Sequence, residues 1–277
     1  MSRNTSPRRE VRLIGLPTDI NSSFLRGPAM APKTIRAALG SGHANGSAEI
    51  GDAFGSNVHF TDRGDLPLRE EETDTILIAD AVTQAARAGE MPLCLGGDHS
   101  VSFPIVEALA RVHGPLNLLH FDAHPDLYDN YEGNPRSHAS PFARIMETGA
   151  AKRLVQVGIR TLNAHQSEQA KRFGVEMVLM QEFTPAAVPI LEGPLYVSFD
   201  LDGLDPSMAP GVSHYEPGGL TMREVVAVLA RQTSNLVGAD VVEYNPVRDT
   251  QGVTAVVCAK LVREIAALAA RNVPIAG

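Results

Sequence analysis

Short, β-rich apolar runs alternate with longer helical patterns along almost the whole chain, and this alternation constrains the fold more than any other feature of the sequence. It is typical of a parallel sheet with helices on both faces, so we predict an α/β fold with about eight parallel strands. Because there is no internal repeat or shift in composition, residues 1–277 are expected to form one domain. The predicted strands are Val11 to Leu16, Val58 to Thr61, Pro92 to Leu95, Leu116 to Phe121, Leu154 to Val157, Val175 to Leu179, Leu195 to Phe199 and Leu236 to Val242. The clearest helical patterns are Thr73 to Ala88, Val101 to Val112, Ala139 to Glu147, Met222 to Arg231 and Thr254 to Ala270.

The charge and the chain ends limit the classes of partner. A formal net charge of -8 disfavours nucleic acids and anionic membranes, which are held by clustered Lys and Arg, and it favours a small cationic substrate. No apolar stretch approaches the length of a membrane span. No apolar run follows the basic residues in positions 1–10, so this segment is not expected to be a secretory signal. We expect it to be disordered. Cys94 and Cys258 lie in apolar segments and suit buried thiols in a reducing compartment, so the expected location is the cytoplasm.

Acids and histidines follow three of the predicted strands directly. In sheets of this kind, ligands bind beyond the carboxyl ends of the strands. Asp122, His124 and Asp126 recur at every second residue after one strand, and Asp200 and Asp202 do so after another. In extended chain, residues two apart point to the same side. Together with His99 from a third strand end, these residues are therefore expected to form one site with six ligand-type side chains.

This set of side chains predicts a metal centre. Four carboxylates buried together would repel one another strongly, and two divalent cations would cancel their charge. Carboxylate oxygens mixed with imidazole nitrogens, without thiolates, argue against structural zinc or iron-sulfur sites and suit manganese, cobalt or nickel. Two such ions can share one water, lower its pKa and direct the resulting hydroxide at an electrophile. The sequence therefore indicates hydrolytic chemistry.

Three nearby polar residues have simpler interpretations. An isolated Asp after a strand is usually a helix cap or a turn residue. Asp98 breaks the alternation with His99, and Asp205 precedes Pro206, so both are predicted to be cap or turn residues. His120 lies inside a predicted strand and is expected to be a core residue and not a metal ligand.

At these motifs the chain resembles the ureohydrolases, the family of arginases and agmatinases. The sequence motifs typical of this family occur here at Gly96 to His99, Asp122 to Asp126 and Ser198 to Pro206. The likeness extends over nearly the whole chain. It looks closest to the plant-type arginases at Asp126 to Asp129 and Val237 to Pro246, although the transit peptide of plant enzymes is missing. The resemblance implies the three-layer fold shared with histone deacetylase-like enzymes, and trimers or hexamers of identical subunits.

The resemblance also implies roles for individual residues. His99, Asp122, Asp126 and Asp200 would hold one Mn²⁺ of each subunit, and Asp122, His124, Asp200 and Asp202 would hold the other. Asp126 would also accept a hydrogen bond from the metal-bridging hydroxide. His138 would be the proton shuttle, a task that suits a side chain titrating near neutrality, although a surface-loop histidine is the simpler alternative. Glu243 would bind the guanidinium group through two parallel hydrogen bonds, although Asn245 and Pro246 also mark a turn there.

The implied reaction is the hydrolysis of L-arginine to L-ornithine and urea, with hydrolysis of agmatine to putrescine and urea as the alternative. The family's animal-type contacts to the amino acid head group are absent here, because Tyr128 occupies the position of an Asn. Asn134, Ser137 and Asn163 are possible replacements, and each could equally be an ordinary loop residue. Two alternatives of another class are a mononuclear zinc amidohydrolase of the deacetylase type and a non-catalytic metal-binding protein.

Overall fold

A computed structural model describes residues 8–43, 45–51 and 58–271. Their eight strands form one sheet in which every neighbouring pair is parallel, as the sequence predicted. The strands are β1 (Arg9–Gly15), β2 (Val58–Asp65), β3 (Met91–Leu95), β4 (Leu116–Phe121), β5 (Ala151–Ile159), β6 (Glu176–Leu179), β7 (Leu195–Asp200) and β8 (Leu236–Val242). The helices are α1 (Ala31–Leu39), α2 (Asp74–Arg87), α3 (Ser102–His113), α4 (Pro141–Thr148), α5 (Ala164–Phe173), α6 (Met222–Arg231) and α7 (Val253–Arg271).

The helices form a layer on each face of the sheet. Apolar side chains of α1, α6 and α7 pack on one face, and those of α2, α3, α4 and α5 pack on the other. The central strands β3, β4, β7 and β8 are buried along their whole length, as expected for parallel strands covered on both faces. The predicted three-layer α/β fold is therefore confirmed.

The order of the strands determines where a site can form. The sheet runs β2-β1-β3-β8-β7-β4-β5-β6, so β8 and β7 lie between β3 and β4. The helices that follow β3 and β4 pack on one face of the sheet, and those that follow β8 and β7 pack on the other. Ligand crevices form at the carboxyl ends of strands where neighbouring connections leave to opposite faces. The segments that follow β3, β8, β7 and β4 therefore lie side by side.

The structure differs from the sequence-based prediction at the first residues and at two helices. Arg9 and Glu10 were expected to be disordered, but they belong to β1 and pair with β2; residues 1–7 lie outside the described residues. Helices α1 and α5 were not among the clearest patterns. The segment of α5, AHQSEQAKRF, is mostly polar and offers only a short apolar stripe, so its periodicity is weak.

Two short local signals nevertheless set the ends of α5. The side chain of Asn163 caps its first turn, and Gly174 ends it in the left-handed conformation. No helix in the described ranges is both long and apolar enough to cross a bilayer.

Candidate active site

Four adjacent strand ends deliver the six predicted metal ligands and Glu243. His99 follows β3, Glu243 follows β8, Asp200 and Asp202 lie at the end of β7, and Asp122, His124 and Asp126 follow β4. All of them except His124 are buried. The predicted convergence of six ligand-type side chains is therefore present in the structure.

The first cluster surrounds the Nδ1 atom of His99. This nitrogen lies 3.2 Å from an oxygen of Asp122, 3.0 Å from one of Asp126 and 3.1 Å from one of Asp200. It is buried and makes no hydrogen bond. A buried imidazole nitrogen that faces three carboxylate oxygens without a hydrogen bond has the surroundings of a metal ligand, because a cation would satisfy all four groups.

The second cluster surrounds the Nδ1 atom of His124. This nitrogen lies 3.0 Å from an oxygen of Asp202 and 3.4 Å from an oxygen of Asp122. Asp122 turns one oxygen toward His99 and the other toward His124. Its carboxylate therefore lies between the two clusters, as a bridging ligand must.

The charges in these clusters are unbalanced. Burial and the nearby charge of Asp122 raise the pKa of Asp126 to about 7. Burial and the charges of Asp202 and Asp122 raise the pKa of Asp200 well above its usual range. Burial disfavours a charged His99, but the surrounding carboxylates outweigh it and raise its pKa. Without metal ions, the negative charge of these carboxylates is therefore offset only by protons that the site takes up. Divalent cations would replace those protons.

Two series of hydrogen bonds fix the orientation of the ligand side chains. His99 Nε2 lies 2.9 Å from Ser198 Oγ, and Ser198 donates a hydrogen bond of 2.7 Å to Asp240. Because Ser198 uses its proton on Asp240, its oxygen accepts from His99, which leaves the lone pair of Nδ1 free for a cation. On the other side of the site, His120 Nε2 donates to Asp122 at 2.8 Å, and Gln156 contacts His120 Nδ1 at 3.0 Å.

Asp98 and Asp205 have the simple structural roles that the sequence predicted, and His120 has a further contact. Asp98 caps the short helix that begins at His99, and Asp205 accepts hydrogen bonds from Ser207 and from the chain at Gly218, so both predictions are confirmed. His120 is fully buried, as expected of a core residue, but it also contacts the carboxylate shared by the two clusters.

Glu243 and His138 contact each other. Oε1 of Glu243 lies 2.9 Å from Nδ1 of His138 and accepts a hydrogen bond of 2.8 Å from the main chain of His99. Both hydrogen bonds go to the same oxygen, so Oε2 is the atom of this carboxylate that a substrate can use. The expected pair of parallel hydrogen bonds from the guanidinium to both oxygens therefore does not fit this arrangement.

His138 is also held at its other nitrogen. Its Nε2 lies 3.2 Å from the main-chain nitrogen of Ser23 and 2.8 Å from the Ser23 hydroxyl. Burial opposes a charge on this ring, but Glu243, Asp126 and Asp98 outweigh it and raise the pKa of His138 to about 9. A His138 that acts as a proton shuttle would have to break one of these contacts.

A cavity of about 230 Å³ opens above the clusters. No Lys or Arg is among its lining residues in the described part of the chain. The lining residues are Ser23, His124, Asp126, Tyr128, Tyr131, His138, Ala139, Thr161, Gln166, Asp200, Asp202, His214 and Glu243. The cavity is therefore rich in acids and imidazoles and suits a cationic group.

The three suggested head-group residues are not among the lining residues, and their role in substrate binding stays a prediction. Asn134 bonds to Asn21, and Ser137 is buried beside it and accepts from Ala139. Asn163 caps α5 and contacts two lining residues, since it accepts a hydrogen bond of 2.9 Å from the main chain of Gln166 and donates one of 2.5 Å to the Tyr128 hydroxyl. Short polar side chains in loops serve turns and caps as readily as ligands, and sequence alone does not separate these uses.

Sequence reasoning missed Ser23, His214 and Asp240. His214 lines the cavity, and its ring lies 5.6 Å from that of His138 and 5.7 Å from that of His124. Asp240 had a detectable signal, since a carboxylate in the middle of the apolar strand LVGADVV needs a buried partner. Ser23 had none, because it lies in a loop far from the motifs in sequence. His214 follows the Ser198 to Pro206 motif closely, but nothing distinguished it from an ordinary loop histidine.

Comparison with known proteins agrees with this site. The arginase family matches residues 9–268 of the chain. "Arginase 1, mitochondrial" of Arabidopsis thaliana is 49% identical over 273 residues, which cover 92% of this chain and 80% of the relative. The agmatinase of Bacillus anthracis is 36% identical over 264 residues, 92% of this chain and 90% of the relative. The solved arginase from Medicago truncatula superposes with a TM-score of 0.87 at 44% identity, covering 94% of this chain and 87% of that one. The chain belongs to the arginase family.

Proposed function

We propose that this protein is a ureohydrolase that hydrolyses L-arginine to L-ornithine and urea with two Mn²⁺ ions per subunit. The observation that supports this most is the pair of imidazole-carboxylate clusters below a cavity on whose wall Glu243 lies. Likeness to the Arabidopsis arginase over most of both chains supports arginine as the substrate.

Two groups of residues would hold the ions. His99, Asp122, Asp126 and Asp200 fit one, and Asp122, His124, Asp200 and Asp202 fit the other. The donors are carboxylate oxygens and imidazole nitrogens without thiolate, which is compatible with manganese. Divalent ions here would supply Lewis acidity, which makes water nucleophilic near neutral pH.

The remaining chemistry belongs to side chains of the cavity. The free Oε2 of Glu243 accepts a hydrogen bond from the substrate guanidinium and holds its carbon over the clusters. Asp126, which lies 3.0 Å from His99 and lines the cavity, is suited to accept a hydrogen bond from the attacking water. His138 orients Glu243 in the arrangement seen here, and it can return a proton to the departing amine only after leaving Ser23 or Glu243.

Agmatine is a second candidate substrate for a specific reason. The described lining of the cavity has no Lys or Arg to pair with the carboxylate of arginine. Tyr128, Tyr131, Thr161 and Gln166 offer only uncharged polar groups at the cavity wall. A site of this kind distinguishes poorly between arginine and its decarboxylated analogue. The described lining has no cation that would be left unpaired when agmatine, which has no carboxylate, is bound.

Urea release from the manganese-loaded protein tests this function, with arginine and agmatine assayed side by side and Asp126→Asn as the inactive control. Faster turnover of arginine supports arginase, and faster turnover of agmatine supports agmatinase. Urea from neither substrate contradicts the proposal.

The number of bound ions separates the alternatives of another class: two per chain supports the ureohydrolase, and a single zinc would indicate a deacetylase-like amidohydrolase. Two ions without turnover of any guanidino compound would indicate a metal-binding protein.

Three further properties belong to the same proposal. We propose manganese as the native metal, assembly as a trimer or hexamer, and a cytoplasmic location. The two free cysteines, Cys94 and Cys258, are buried, which is compatible with a reducing compartment. Three measurements test these properties separately. Metal analysis of protein purified from its native cells identifies the metal, light scattering after size exclusion gives the assembly, and cell fractionation gives the location.

A further inference from the structure

The loop between β1 and α1 contributes Ser23 to the lining of the active-site cavity. Asp19 holds the far end of this loop by accepting hydrogen bonds from the main chain of Gly27 at 2.6 Å and of Ala29 at 3.1 Å. Asn21 holds the near end, since its main-chain nitrogen donates to Asp98 at 2.8 Å. Between these anchors, Ser23 lines the cavity. The position of Ser23 is therefore fixed from both sides.

Ser23 contacts the Nε2 atom of His138 through two groups. Its main-chain nitrogen lies 3.2 Å from Nε2, and its hydroxyl oxygen lies 2.8 Å away. A main-chain N–H can only donate, so this contact requires a neutral His138 ring whose Nε2 accepts. The pKa of about 9 belongs to the metal-free protein, and cations bound by Asp126 would offset the carboxylate charge that raises it. The ring proton is then on Nδ1, where it is donated to Glu243.

We propose that Ser23 is a positioning residue of the active site: it fixes the tautomer and orientation of His138, which in turn keeps Oε2 of Glu243 directed at the substrate cation. Oε1 is already occupied by His138 and by the main chain of His99. Without the Ser23 hydroxyl, Nε2 of His138 keeps only its longer contact to the main-chain N–H of Ser23, so the ring is held less firmly and the carboxylate of Glu243 is less well directed. This inference rests on the proposed function, because it takes Glu243 as the group that binds the guanidinium.

The neighbouring residue provides a matched control. Ser22 precedes Ser23 in the same loop, and its buried Oγ has no hydrogen-bond partner. Ser22→Ala therefore makes the same chemical change in the same loop without removing a contact to His138. Ser23→Thr keeps a hydroxyl and should restore what Ser23→Ala loses. Melting temperatures of all three variants would show that each is folded.

The test is the steady-state kinetics of urea release by the manganese-loaded enzyme and these variants. We expect Ser23→Ala to raise KM by about tenfold and to change kcat by less than about threefold, because a contact to the guanidinium is made in both the ground state and the transition state. Ser22→Ala should match the parent protein, and Ser23→Thr should come within about threefold of it.

Three results would overturn the proposal. The first is a Ser23→Ala variant with the same KM as Ser22→Ala. The second is a fall in kcat at constant KM, which would assign Ser23 to proton transfer. The third is failure of Ser23→Thr to restore KM. These results differ from failure of the proposed function, in which the parent protein itself would release no urea.

Discussion

Nδ1 of His138 lies 2.9 Å from Oε1 of Glu243, and both residues are more than nine-tenths buried. This pair joins the segment after β4 to the end of β8, and it lies over the two clusters. Burial opposes the charge on Glu243, but the nearby His138 outweighs it and lowers the pKa of the carboxyl. Glu243 is thus kept anionic in a buried place, as a binding site for a cation requires.

Glu243→Gln should lower kcat/KM for the guanidino substrate by about 100-fold, which corresponds to about 3 kcal/mol of lost transition-state stabilisation. The amide keeps the shape of the side chain but has no charge for the guanidinium. Steady-state urea release measures the effect. Glu182→Gln is the matched control, because Glu182 is exposed and does not line the cavity. An E243Q variant with nearly the kcat/KM of the parent would remove Glu243 from the substrate site.

Ser198→Ala should weaken metal binding by about tenfold to 100-fold. The variant removes the acceptor of the His99 Nε2 proton, so the ring no longer presents the lone pair of Nδ1 in a fixed direction. Calorimetric titration of the metal-free protein with Mn²⁺ measures the affinity. Tyr196→Phe is the control, because it removes another hydrogen bond to Asp240 and leaves Ser198 and His99 in contact. Equal affinities in the two variants would argue against orientation of His99 by Ser198.

The gain in melting temperature on adding Mn²⁺ should increase as the pH rises between about 6 and 9. In the metal-free protein the pKa of Asp126 is raised to about 7 and that of His138 to about 9. A group with a raised pKa stabilises the fold fully below its unfolded pKa, and this stabilisation is lost as the pH rises through the folded pKa. The metal-free protein therefore loses stability over windows of about pH 4 to 7 for Asp126 and about pH 6.5 to 9 for His138.

Metal binding has the opposite dependence, because the ligands must lose protons before they bind an ion. Melting curves with Mn²⁺ and with a chelator, recorded across this range, measure the difference directly. Asp205→Asn should leave that difference unchanged, since Asp205 belongs to a turn outside the site. A gain that shrinks with rising pH would contradict the assignment of Asp126 to the metal centre.

Glu264→Ala should reduce the free energy of unfolding by about 2 kcal/mol or more. The carboxylate of Glu264 is fully buried on α7 and accepts hydrogen bonds from the main chain of Glu49 and Ile50 at 3.0 and 3.1 Å. The variant leaves both N–H groups without a partner. Urea denaturation measures the change, and Arg223→Ala, which removes an exposed contact to Glu49, should have no measurable effect. Equal stability of the two variants would show that water replaces the lost carboxylate.

The sequence alone predicted most of the strands because their signal is local. Strands β4 and β8 have the predicted bounds, since unbroken apolar runs bounded by turn residues mark fully buried strands. The alternation of Asp122, His124 and Asp126 likewise predicted that these side chains share one edge of the sheet. Strand β5 was predicted too short, because Lys152 and Arg153 at its beginning are polar and break the apolar pattern.

The tertiary structure decided what depends on distant segments. The insertion of β8 and β7 between β3 and β4 brings Glu243 and Asp240 beside His99, although more than 140 residues separate the segments, and nothing local in the sequence encodes that order. Ser23 and His214 reach the cavity from loops whose paths are set by packing and not by periodicity. The sequence determined the elements and the ligand types, because these follow from local patterns. The fold decided which distant side chains meet, because those contacts form only when the sheet is assembled.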